Sequence, residues 1–133
     1  MQNTTLIVIR SLEMESGGVS AVVRILWPHL KKKEIFLCET AFSRVTNVIS
    51  TKKYKSFYIF LKETSPKNVH FHGMWNLNLL LTYFFFKKIN IIVTPHGMLS
   101  KWALKQNPIR KKLFLIFLGL IDRVITFQAL TKN

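Results

Sequence analysis

The sequence predicts an α/β domain built on a mostly parallel sheet with crossover helices, and three observations carry that prediction. Short β-branched runs alternate with longer stretches of helical period. Several of those runs end abruptly in glycine- or histidine-containing turns, as strands of open α/β sheets do at their ligand edge. The length of 133 residues suits one domain with a substantial core, and two are not expected.

Leu6-Ile7-Val8-Ile9 is the first expected strand, and Val19 to Leu30 the helix that follows the Gly17-Gly18 turn. Ile35 to Cys38 is the second strand and Val45 to Ile49 the third, while Tyr54 to Leu61 fits helix or strand equally. After the Ser65-Pro66 break come a strand at Val69 to His72, a helix at Asn78 to Lys87 and a strand at Ile89 to Val93. Pro108 stands where a first-turn proline is tolerated and opens a helix through about Leu120. Val124 to Phe127 makes the last strand. No repeat, low-complexity tract or long linker interrupts this pattern, so residues 1–133 read as one unit.

Composition narrows the partners. Lys and Arg number 20 against 6 Asp and Glu, a formal charge of +14, and between Thr64 and Ile121 stand eight cations and no acid. The implied partner is anionic: a nucleotide phosphate, a lipid headgroup or nucleic acid, which charge alone does not separate. A merely solubilising surface is the plain alternative. The single cysteine, Cys38, allows no internal disulfide and reads as a buried thiol. Gln2 to Thr5 precede a short apolar run ending at Arg10, which is not the pattern of a signal peptide. Leu77 to Phe86 and Leu113 to Ile121 are each about half of the roughly 20 residues a spanning helix needs, so a cytoplasmic chain is expected.

Chemistry concentrates at three strand ends. Ser16-Gly17-Gly18-Val19-Ser20 leads into a helix, where backbone N–H groups form an anion site, although a structural turn explains the pair as well. It has neither the G-x-G-x-x-G nor the G-K-[ST] pattern of nucleotide-binding loops. His70 and His72 lie two apart on one strand and share a face, with Gly73, Met74 and Trp75 continuing the turn. Val93-Thr94-Pro95-His96-Gly97 ends the next strand on an ionisable ring beside a glycine. His70, His72, His96 and Cys38 are the possible metal ligands, but zinc needs three or four converging ligands with outer support, and hydrogen-bonded imidazoles are the expectation. His96 is either a turn-stabilising residue or a substrate-facing one. Its place on the same sheet edge as His72 and the diglycine favours the second.

These residues carry a resemblance. "SGGVS", "VHFHGMWN", "VTPHGMLSKWALKQN" and "DRVITFQALTKN" occur in the order and spacing of the N-terminal domain of family 4 glycosyltransferases, over essentially the whole chain and most weakly between about Phe42 and Pro66. The resemblance implies a Rossmann-like, three-layer domain that is the N-terminal half of a GT-B fold. It implies a retaining transfer of a sugar from a nucleotide-sugar to a glycan or lipid-linked acceptor, with no metal or other cofactor. By the same resemblance Gly17 and Gly18 approach the donor diphosphate, His96 contacts the sugar at the reacting centre, and His72, Trp75, Asn76 and Gly97 line the acceptor side. A diphosphate leaving group gains charge as the glycosidic bond breaks, and backbone N–H donors aimed at it stabilise that charge.

The family's second domain carries most of the donor pocket and a glutamate pair spaced by seven residues, and no such pair occurs in this sequence. A truncated or split enzyme is therefore expected, inactive alone; in the split case a separate C-terminal half is its partner. The resemblance also suggests a peripheral position on the inner face of the cytoplasmic membrane, for which Lys87, Lys88, Arg110, Lys111 and Lys112 are the candidate contacts. In the helix behind them, Ile109, Leu113, Ile116, Phe117 and Leu120 have the spacing of a packed stripe and are expected to be core, with Phe114, Leu115, Leu118 and Ile121 left as an apolar excess. The competing class is a non-enzymatic remnant or basic binding module. A nucleic-acid-binding role lacks any RNA-binding aromatic signature or helix-turn-helix pattern.

Overall fold

The computed structural model describes residues 5–9, 21, 22, 25, 34–38, 48–50, 57–120 and 124–128. Six strands, β1 (Thr5–Ile9), β2 (Glu34–Cys38), β3 (Val48–Ser50), β4 (Asn68–His72), β5 (Asn90–Thr94) and β6 (Thr126–Phe127), form one sheet in the order β3-β2-β1-β4-β5-β6. Every pairing is parallel, with Leu6 opposite Val69 and Val69 opposite Ile91 at its centre. The chain works outward from β1 to one edge, returns beside β1 at β4 and works outward to the other. That is the order of a doubly wound sheet, whose ligand crevice lies outside the carboxyl ends of the strands at the reversal point.

The helices described over their whole length are α1 (Phe57–Thr64), α2 (Leu77–Phe85), α3 (Lys101–Lys105) and α4 (Pro108–Gly119). The ambiguous segment at residues 54–61 is helical from Phe57 onward. Phe57, Phe60 and Leu61 fall at i, i+3 and i+4 and are buried, while Tyr58, Ile59, Lys62 and Glu63 face out. Of the helix expected over residues 19–30, Ala21, Val22 and Ile25 are described and are helical; Gly17 and Gly18 lie outside the described residues. Of the third expected strand, Val48 and Ile49 lie in β3 and residues 45–47 lie outside the described residues, while the last strand shrinks to two residues at the sheet edge. The pentapeptide helix α3 stands between the β5 turn and Pro108; Ser100 caps it, its Oγ accepting the Ala103 N–H at 3.2 Å.

Leu6, Val8, Val69, Phe71, Ile91 and Val93 project from one face of the sheet into a core shared with Phe57, Phe60 and Leu61 of α1, Leu79 and Tyr83 of α2, and Phe114 of α4. Alternation along β4 therefore turns His70 and His72 to the other face. Tyr83 ties the helices together, donating its buried hydroxyl to the Leu118 carbonyl at 2.7 Å.

One expectation is reversed. The stripe expected as core on α4 is exposed: Ile109 at 76%, Leu113 at 50%, Ile116 at 49%, Phe117 at 46% and Leu120 at 65%. The helix packs instead through Phe114, Leu118 and the half-buried Lys111. An apolar spacing identifies a face able to pack, but a helix that is apolar nearly all round offers several, and docking against Trp75 and Tyr83 selects one.

Candidate functional site at the carboxyl edge of the sheet

β4 and β5 end side by side. The register sets His72 opposite Thr94, and the Gly73 N–H donates to the Thr94 carbonyl at 2.9 Å, so the two turns beyond them leave from one place. Gly73 has φ +108°, a conformation L side chains rarely adopt, and a Cβ there would meet Met98 Cε at 3.3 Å.

The β5 turn reverses through Pro95, His96, Gly97 and Met98, closed by the Met98 N–H on the Pro95 carbonyl at 2.9 Å. Both central residues have left-handed backbone, His96 at φ 47° and Gly97 at φ 75°, as a type I′ turn requires. Glycine accepts this freely, whereas a histidine in that region costs about 1 kcal/mol. The strained residue is the one that carries the ionisable ring.

That conformation brings His96 onto β4. His96 Nε2 lies 2.9 Å from His72 Nδ1, and the rings stack with centroids 5.1 Å apart and planes inclined at 29°. His70 follows, its ring centroid 4.4 Å from that of His72. His70 Nε2 is 2.7 Å from Thr94 Oγ1, and that hydroxyl donates onward to Gln128 Oε1 at 3.4 Å. The Thr94 hydroxyl is shared between His70 and Gln128. Three strands thus contribute one polar chain across the histidine face.

The imidazoles are held neutral. Burial first, then the proximity of His96, lowers His70 from 6.5 to about 4. Burial first, then His70 and His96, lowers His72 from 6.5 to about 3. Burial lowers His96 as well. In a neutral His72–His96 pair one inner nitrogen donates and the other accepts, so the outer nitrogens, His72 Nε2 and His96 Nδ1, always present one donor and one acceptor. A hydroxyl group needs that combination.

The other candidate residues have different surroundings. Trp75 is turned toward the helix layer, its ring edge-on to Phe114 at 5.5 Å and covered by Lys111 Nζ at 5.4 Å, and its buried Nε1 has no hydrogen-bond partner. Asn76 caps α2, its Oδ1 accepting the Asn78 N–H at 2.8 Å. Gly97 is exposed beside His96, with open space around its Cα. Lys111 also donates to the Ala103 carbonyl, whereas Arg110 and Lys112 are exposed. Lys87 and Lys88 border a cleft of about 780 Å³ with Lys67, Phe85 and Phe86 where β4 and β5 begin, at the sheet edge opposite the imidazoles. Among the described residues no group of three His, Cys, Asp or Glu converges as metal ligands would, and no helix is long and apolar enough to cross a membrane.

Sequence reasoning missed Thr94 and Gln128. The alternation that put His70 and His72 on one face also places Thr94 on that face, but its diagonal relation to His70 depends on strand register.

Fold and site together define an α/β chain with a parallel, doubly wound sheet and a neutral imidazole cluster at its carboxyl edge, an arrangement compatible with a Rossmann-like fold. No family model, curated protein or solved structure matches the chain.

Proposed function

We propose that this chain is the acceptor-side domain of a GT-B glycosyltransferase, which moves a sugar with retention from a nucleotide-sugar to a hydroxyl of a glycan or lipid-linked acceptor without a metal or cofactor. The observation that carries this reading is His96, an ionisable ring held in strained left-handed backbone at the carboxyl edge of a parallel sheet and bonded to His72. Strain of this kind persists where the surroundings over-determine it, and it clusters at working sites.

In this reading the neutral pair takes up a sugar hydroxyl, one outer nitrogen donating and the other accepting, and orients it at the reacting centre. His72 and Gly97 border the acceptor, and Trp75 and Asn76 shape the β4–α2 turn that follows His72. Gly17 and Gly18, which lie outside the described residues, are assigned to the donor diphosphate, in a cleft whose other wall is a second, donor-binding domain. Transfer in this reading needs both walls of that cleft.

Side-chain NMR of the histidines in the full chain tests this. Titration with acceptor-type oligosaccharides is expected to shift the His72 and His96 resonances and to leave His96→Gln without that response. Imidazoles that ignore every saccharide sink the acceptor assignment, and transfer from any nucleotide-sugar by the purified chain overturns the statement that it needs a second domain.

A further inference from the structure

We propose that the cleft at the amino edge of the sheet binds a small organic phosphate monoester with an aromatic body, its ring against Phe85 and Phe86 and its phosphate on the ammonium groups of Lys67, Lys87 and Lys88. The proposal goes beyond sugar transfer and does not rest on it. The cleft forms where α1 and α2 end and β4 and β5 begin, lined by Leu61, Pro66 and Lys67 from the first connection and by residues 85–89 from the second. Leu61, Pro66 and Ile89 are buried, whereas Phe85 is 70% exposed. Tyr58 of α1 stands edge-on to Phe85, with ring centroids 6.1 Å apart, and tilted to Phe86 at 5.2 Å, so both rings are braced from one side. An exposed ring held in this way is a stacking surface. Three lysines and no acid line the cleft, and no acid occurs between Thr64 and Ile121. The helix C-termini at Thr64 and Phe85 favour cations at this edge, which accounts for the charge but not for the apolar hollow beside it.

Size and charge select the occupant. The volume of about 780 Å³ falls in the range of small-molecule sites, about 300–1,000 Å³. Ammonium groups are compact point charges on flexible stems, so three of them suit a tetrahedral phosphate, whereas planar carboxylates are matched by the guanidinium fork. A phosphate monoester brings about two negative charges and three acceptor oxygens at neutral pH. The His72–His96 pair lies at the other edge of the sheet, so cleft and imidazoles are separate sites.

Amide and side-chain NMR of the full chain, titrated with 2-naphthyl phosphate, 2-naphthol and inorganic phosphate, tests the proposal. Naphthyl phosphate is expected to shift the amides of Lys67, Lys88 and Ile89, to leave the His72 and His96 rings unmoved, and to bind at least about tenfold more tightly than either fragment. Three variants change only exposed residues, and circular dichroism verifies their fold. Lys87→Gln with Lys88→Gln, and separately Phe85→Ser, are each expected to weaken binding about tenfold, and Arg110→Gln with Lys112→Gln on α4 to leave it unchanged. Naphthol or inorganic phosphate binding as tightly as the ester overturns the proposal. So does an equal loss in the α4 pair, which reduces the effect to general attraction by a chain of charge +14. Shifts confined to the imidazoles overturn it as well. Binding to phosphatidylglycerol vesicles that needs Lys87 and Lys88, with no response to the free ester, assigns these lysines to lipid headgroups instead.

Discussion

His72 Nδ1 and His96 Nε2 sit 2.9 Å apart with stacked rings, so neither imidazole gains a proton without facing the other. Each side chain is ordinary alone; as a buried pair beside His70 they form a cluster that tolerates no charge.

Stability is therefore expected to depend on pH in one direction. The folded values of His70 and His72, about 4 and about 3, lie below the ordinary 6.5, so the unfolded chain binds more protons in the interval between. Their contribution is complete above 6.5 and is lost as pH falls from there to about 4 for His70 and about 3 for His72. Urea midpoints between neutral pH and pH 4.5 should fall steadily, and less so in His70→Gln. A midpoint independent of pH would contradict the buried, neutral cluster.

The two glycines of the site are expected to respond differently to alanine. Gly97→Ala meets open space and costs about 1 kcal/mol from its left-handed backbone alone. Gly73→Ala adds displacement of Met98 to a φ of +108°, for a loss of about 2–3 kcal/mol. Urea unfolding ranks them, and equal losses would show that Met98 yields freely.

Opposite faces of α4 should separate cleanly. Phe114→Ala removes a side chain buried in the core edge-on to Trp75 and is expected to cost about 3 kcal/mol, whereas Ile109→Ser should change stability by less than about 0.5 kcal/mol. Similar losses at both sites in thermal unfolding would mean that the apolar stripe is packed.

Tyr83→Phe deletes the hydroxyl that donates to the Leu118 carbonyl across α2 and α4. A loss of about 1–1.5 kcal/mol is expected, with faster amide exchange in the last turn of α4. Unchanged exchange there would show that the bond does not anchor that end of the helix.

The sequence by itself determined the parallel α/β class, most strand positions and the placement of His72 and His96 at strand ends, because alternation, helical period and Pro-Gly turns act over a few residues. The short α3 has no long apolar period behind its cap Ser100, so the local pattern did not mark it as a helix. Tertiary structure alone decided that His72 pairs with His96 and that His70 pairs with Thr94, each across 24 residues of chain, since both depend on how β4 and β5 align. It also decided that α4 packs through Phe114 and Leu118 and leaves Ile109, Leu113, Ile116 and Leu120 outside. A helix apolar on nearly every side fits a core in several rotations, and only its neighbours choose among them.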